Sequence, residues 1–125
     1  MDSSGEAGPQ PCSKPETDHE RAEASPEIVL VTMIFEAARP AELAKVLAKY
    51  VVMSRRHEGC RNIDFALSVT DRRRFVVVEK WASHEAQRRH FDSKEMVEMA
   101  ESCRGLLTRP PQIDLLESVS AHDLF

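Results

Sequence analysis

The chain has 125 residues, 42% of them hydrophobic, and a formal net charge of −4 at pH 7, a length that suits one domain and leaves little room for a second independent core. The charge is uneven: residues 1–27 hold seven acidic and two basic side chains, so the remainder is close to neutral and offers no strong field for a nucleic acid partner. No apolar run approaches the roughly 20 residues that span a bilayer, and the N-terminus lacks the basic-then-apolar layout of a signal peptide, so the expectation is a cytoplasmic protein with no membrane partner.

Residues 1–26 contain four of the seven prolines and no Val, Ile, Leu or Phe; a stretch with nothing to bury reads as a disordered acidic tail. Ile28 to Phe35 is apolar at nearly every position and rich in β-branched residues, which predicts a strand buried on both faces. Arg39-Pro40 breaks that run. Leu43, Val46, Leu47, Tyr50 and Val51 then recur on one helical face up to about His57. Gly59 is a plausible helix stop, and Ile63, Phe65, Leu67 and Val69 alternate with Asp64, Ala66 and Ser68 in a second strand. The charged stretch Asp71 to Arg74 joins it, as a hairpin with a solvated tip, to the β-prone run Phe75 to Trp81. Ser83 is the expected N-cap of a helix through about Asp92. A further helix carries Met96, Met99, Ala100, Cys103 and Leu107 on one stripe, with the two methionines as core filler. Pro110-Pro111 stops it before a last strand, which carries Ile113, Leu115 and Leu116 and ends near Val119. The order strand, helix, strand, strand, helix, helix, strand is a ferredoxin-like α+β plan with a four-stranded antiparallel sheet over residues 27–120, followed by a short C-terminal tail, 121–125.

Helices in this plan cover one face of the sheet, and the other face is apolar as well: the first strand offers Ile28, Leu30 and Ile34 on one side and Val29, Val31, Met33 and Phe35 on the other. Each such side chain is worth roughly 1.5 to 3 kcal/mol when buried. A homodimer that shares this surface is therefore expected.

Cys12, Cys60 and Cys103 are odd in number and lack Cys-x-x-Cys spacing, which argues for free thiols and against a disulfide framework or a structural zinc. His57 and Cys60 are three apart across a helix end without a third ligand, so no metal is expected. His84 and His90, six apart, point to different helix faces.

The stretch Glu58-Gly59-Cys60, the run Arg74 to Ala86 with its Glu79-x-Trp81 strand end and Ser83-x-Glu85-Ala86 helix start, then His90, Leu106-Leu107 and Pro110-Pro111 resemble the antibiotic biosynthesis monooxygenase family over about Glu27 to Val119. The resemblance implies a dimeric α+β barrel with a pocket between sheet and helices, and chemistries that range from cofactor-independent oxygenation of quinone precursors to haem breakdown and isomerisation of a signalling sugar. Trp81 matches the quinone-forming members, whereas Val77, Gln87 and Ala100 stand where those carry Asn, Tyr and Arg. The haem-degrading pattern fails at the first strand, which lacks Asn, at His90 and near Ala100, so no cofactor is expected. His90 matches members with a histidine on that helix.

His90 is accordingly the expected proton acceptor, since an imidazole can take a proton from a phenol or hydroxyketone near neutral pH. Trp81 is the expected aromatic wall. Val77, Glu79, Gln87 and Phe65 complete the expected ligand-facing set, with Glu79 on the strand face of Val77 and Trp81 and expected to titrate high unless a partner holds its charge. The function expected from these residues is a small cofactor-independent oxidoreductase acting on a phenolic or quinone-like molecule. The alternative is a non-catalytic dimeric barrel that binds a small ligand or serves as an interaction module.

Overall fold

A computed structural model of the protein describes residues 27–120; the two expected tails, 1–26 and 121–125, lie outside the described residues. The elements follow in the expected order: β1 (Val29–Glu36), α1 (Pro40–Ser54), β2 (Cys60–Leu67), β3 (Arg74–Trp81), α2 (His84–Phe91), α3 (Lys94–Ser102) and β4 (Gln112–Glu117). The four strands form one antiparallel sheet in the order β2-β3-β1-β4, and the fold is α+β of the ferredoxin-like type. Among the described residues no helix is long and apolar enough to cross a membrane.

Strand alternation sorts the side chains into two faces. Val29, Val31, Met33 and Phe35 of β1 and Phe75, Val77, Glu79 and Trp81 of β3 are buried, while Leu30, Thr32, Ile34, Val76, Val78 and Lys80 between them are half-buried. The helices lie on the first face. The stripe Leu43, Leu47, Tyr50, Val51 and Ser54 of α1 is buried there, and Met99 and Cys103 close the core from α3 and its C-cap. Antiparallel register sets Val76 beside Ile34, Lys80 beside Leu30 and Leu30 beside Leu116. The opposite face thus presents Leu30, Ile34, Val76, Val78 and Leu116 without a helix over them.

Where element ends differ from expectation, the cause is local. α1 stops at Ser54 rather than near His57, because Arg55 caps it and turns its guanidinium to the Ile63 carbonyl (2.8 and 3.2 Å). A turn follows: the His57 N–H donates to Ser54 O and the Cys60 N–H to His57 O. It closes at Gly59, whose φ of +87° is a left-handed conformation that costs little only without a Cβ. β2 therefore begins three residues earlier than the alternation shows. It ends at Leu67, where Ser68 Oγ accepts the N–H groups of Thr70 and Asp71. The hairpin tip is not merely solvated: Arg73 donates to the carbonyls of Ala37 and Ala38, and Arg74 Nε lies 2.9 Å from Glu36 Oε2. α3 ends at Ser102, capped by Cys103 and turned by Gly105 at φ +79°. The Leu106 carbonyl there accepts from the N–H groups of Ala38 and Arg39.

Candidate functional site

Four elements and one turn converge on a buried polar cluster. α1 supplies Tyr50 from its core stripe. β3 supplies Glu79 and Trp81, two residues apart and so on one face. α2 supplies His90, set by its N-cap: Ser83 Oγ accepts the Ala86 N–H at 3.1 Å, which fixes the start of the helix and thereby which residues turn inward. These are Ala86, Gln87 and His90, one turn apart. The α1–β2 turn supplies His57. Glu95 sits at the second position of α3, behind its N-cap Ser93.

The contacts run in an unbroken series. Trp81 Nε1–H donates to Glu79 Oε1 at 2.9 Å, and the Tyr50 hydroxyl donates to Glu79 Oε2 at 2.6 Å. The same hydroxyl oxygen lies 2.7 Å from His90 Nε2. His90 Nδ1 is 2.9 Å from His57 Nδ1, and His57 Nε2 is 3.0 Å from Glu95 Oε1. The Trp81 indole stacks on the His90 imidazole with ring centroids 4.5 Å apart. Trp81, Glu79 and His90 are 0%, 2% and 3% exposed, whereas His57 and Glu95 reach solvent in part.

Burial governs the electrostatics. It holds His90 neutral, with its pKa lowered from 6.5 to about 4, and the neighbouring His57 adds to the effect. Glu79 is pushed above the ordinary carboxylate range by burial, against the opposing hydrogen bonds from Tyr50 and Trp81. Tyr50 is pushed up by burial and then by the Glu79 charge. Glu95 is drawn down, first by its own backbone N–H at the helix start and then by His57, so it stays a carboxylate. Cys60, half-buried at the start of β2, is raised by burial and by Glu79.

Two hollows border this region, and a third lies beyond it. One of about 210 Å³ is lined by His57, Glu58, Ala86, Arg89, His90, Ser93 and Glu95, and there the polar series meets the surface. A groove of about 200 Å³ between α1 and α3 has Tyr50, Met53, Glu95 and Met99 on its walls. The largest, an apolar cleft of about 430 Å³, lies between Phe35, Met96, Met99, Cys103, Leu107 and Ile113.

Of the residues singled out in the sequence, the structure brings His90, Trp81 and Glu79 into direct contact and buries Gln87 one turn before His90. Trp81 presents its face to His90. Val77 is fully buried in the core, and Phe65 stacks on Phe75 at 5.8 Å, neither in hydrogen-bonding chemistry. Sequence reasoning passed over Tyr50, His57 and Glu95 as members of the cluster. Tyr50 did carry a signal, as a phenol on a stripe of Leu and Val, since a buried hydroxyl needs a partner. Away from this region, His84 Nε2 lies 3.1 Å from Glu27 Oε1 and 3.4 Å from Glu117 Oε2 in an exposed ion-pair group.

Residues 27–102 match the family model described as antibiotic biosynthesis monooxygenase. Among solved structures, Rv0793 from Mycobacterium tuberculosis is similar at 26% identity over 75% of this chain and 97% of its own, with a TM-score of 0.69. PA3566 from Pseudomonas aeruginosa is 24% identical over 77% of this chain and 97% of its own, with a TM-score of 0.67. A variant of SnoaB from Streptomyces nogalater, described as a cofactor-independent oxygenase, is 21% identical over 76% of this chain and 95% of its own, with a TM-score of 0.65. No curated protein matches. With most of the described residues matched by the family model and the same fold in these structures, the chain belongs to the antibiotic biosynthesis monooxygenase family.

Proposed function

We propose that the protein is a small cofactor-independent oxidoreductase of the monooxygenase type that acts on a phenolic or quinone-like molecule as a homodimer. One observation carries the reading: the hydrogen-bonded series from Glu79 through Tyr50 and His90 to His57 ends in a surface hollow. Molecular oxygen reacts with electron-rich anions far more readily than with neutral phenols, so the first task of such an enzyme is to remove a proton. The cluster supplies an acceptor that is neutral at pH 7, with His90 held in one orientation by Trp81 on its face and by partners at both ring nitrogens. The substrate anion then passes electrons to oxygen; one oxygen atom bonds to the ring carbon as that carbon's C–H bond breaks, and the other leaves as water with that hydrogen and the returned proton. The SnoaB likeness, at the level of the fold, is compatible with this chemistry.

A second reading rests on a different observation. Both His90 nitrogens have protein partners and Trp81 is fully covered, as they would be in a structural core under a barrel that binds a small ligand without turning it over.

Oxygen uptake in the presence of hydroquinones and anthrone-like compounds separates the two. Uptake that falls at least a hundredfold in His90→Ala supports the enzyme, a loss typical of removing a positioned base. Uptake indifferent to both His90→Ala and Trp81→Phe would remove this site from the chemistry, and binding of the same compounds without uptake favours the second reading.

A further inference from the structure

The cluster can be read by counting protons. Four hydrogen bonds link Glu79 Oε2 to Glu95 Oε1: carboxyl to Tyr50, Tyr50 to His90 Nε2, Nδ1 to Nδ1 between the histidines, and His57 Nε2 to Glu95. Each needs one hydrogen. A phenol and two neutral imidazoles bring three, so with both carboxylates ionised one bond would be empty. The Nδ1 to Nδ1 contact at 2.9 Å, the Tyr50 contacts at 2.6 and 2.7 Å and the His57 to Glu95 contact at 3.0 Å are all of hydrogen-bond length, and a fourth proton would fill every one of them.

We propose that this proton is shared by Glu79 and His57 through Tyr50 and His90, which makes the four residues a relay between the buried carboxyl and the surface hollow. With the proton on Glu79, every donor points outward: the Glu79 acid O–H donates to Tyr50, Tyr50 to His90 Nε2, the His90 Nδ1–H to His57 Nδ1, and the His57 Nε2–H to the Glu95 carboxylate. Transfer reverses the first three. The Glu79 O–H bond breaks as a new Tyr50 O–H forms, the former Tyr50 proton bonds to His90 Nε2, and the His90 Nδ1 proton bonds to His57 Nδ1. Three bonds break and three form. Glu79 becomes a carboxylate that accepts from Tyr50 and Trp81, His57 becomes an imidazolium facing Glu95, and Tyr50 and His90 end neutral as they began.

Chemistry selects these two ends. Burial resists an imidazolium at His90, and Glu95 favours its carboxylate. Glu79 is pushed toward its acid form by the same burial. The groups facing Glu79 are Tyr50, Trp81, His90 and Cys60, with His57 acting through the relay; those facing His57 are His90 and Glu95, with Glu58 and Arg89 also on the wall of the hollow. Resting on the reading of a phenolic substrate, an anion in that hollow would draw the proton outward from Glu79 to His57, so that His57 meets the ligand's charge and His90 passes the proton behind it.

The test needs neither ligand nor turnover, so its failure and that of the enzyme reading are separable. In the full chain, nitrogen NMR of the imidazoles follows the charge and tautomer of His57. The infrared carbonyl band of an acid-form glutamate, assigned by its loss in Glu79→Gln, follows Glu79. In the wild type both signals should change with one common midpoint as pH rises, because a single proton leaves both ends. Tyr50→Phe, which keeps the ring, should cut the relay and give two separate midpoints. Separate midpoints in the wild type, a common midpoint that persists in Tyr50→Phe, or absence of the Glu79 acid band at every pH would each overturn the relay.

Discussion

His90 ties the stability of the protein to pH in a way that can be worked out in advance. The unfolded chain takes a proton on this imidazole near 6.5, whereas the folded chain refuses it until about 4 because the ring is buried and faces His57. Between those values the unfolded state binds more protons, so stability falls as pH falls; the contribution is fully present above 6.5 and lost by about 4. That interval corresponds to ~3 kcal/mol, a large share of the 5–15 kcal/mol typical of a domain. Glu79 acts with the opposite sign: its raised pKa favours the folded state at low pH and loses that benefit as pH rises through the folded value. The wild-type curve mixes the two, so the quantity to measure is the difference from His90→Gln, which keeps hydrogen-bonding capacity but does not titrate. Urea unfolding at pH 7, 5.5 and 4 should show the advantage of the wild type over the variant shrinking by ~3 kcal/mol across the series. An advantage that stays constant would mean that folded His90 protonates near its ordinary pKa and that the closed, neutral cluster described above is wrong.

Gly59→Ala should cost roughly 2–4 kcal/mol, combining a left-handed backbone with a Cβ that collides with the Cβ of Ala86; Gly105→Ala, equally left-handed but with open space around it, should cost only about 1 kcal/mol. Thermal melting of both variants checks the contrast, and equal losses would show that α2 does not pack on the α1–β2 turn as described. Val76→Lys places a charge in the middle of the uncovered sheet face beside Ile34, so sedimentation velocity should find a dimer for the wild type and a monomer for the variant. A monomeric wild type would dispose of the proposed homodimer.

The order of elements was legible because each signal is local: β-branched runs, a helical stripe, a capping serine, a pair of prolines. The sequence also placed Trp81 and Glu79 on one strand face, whereas His90 was singled out by the family resemblance rather than by its place on the helix. His57 was not recoverable as a partner of His90, for a physical reason. Read as the end of α1, it projects along that helix; in the structure the helix has already stopped at Arg55, held by the Ile63 carbonyl, and the turn swings His57 toward α2. Glu95 read as an ordinary first-turn acid. Its role depends on where α3 starts relative to that turn, which no spacing within either segment encodes. Phe65, expected to face the ligand, stacks on Phe75 in the structure.

The cluster also bears on whether the fold needs it. Tyr50→Phe removes one hydroxyl but strands two buried groups, Glu79 Oε2 and His90 Nε2, at about 1–3 kcal/mol each. Replacing all three residues at once, as Tyr50→Phe with Glu79→Leu and His90→Leu, leaves no such stranded pair. It exposes only the Trp81 N–H to a lost partner, because His57 keeps Glu95 and its access to the hollow. Buried polar sets replaced as a whole by apolar side chains are often as stable as the original, whereas sets broken at one member are not. The triple variant should therefore unfold at a urea concentration above that of Tyr50→Phe alone, with a loss well below the sum of the three single losses, and should show no oxygen uptake. A triple loss equal to that sum would mean that the residues act independently and hold the fold together. A triple variant about as stable as the wild type, and inert, would mean that the core can do without this chemistry, and that the buried acid, phenol and imidazole serve the proton they carry rather than the fold.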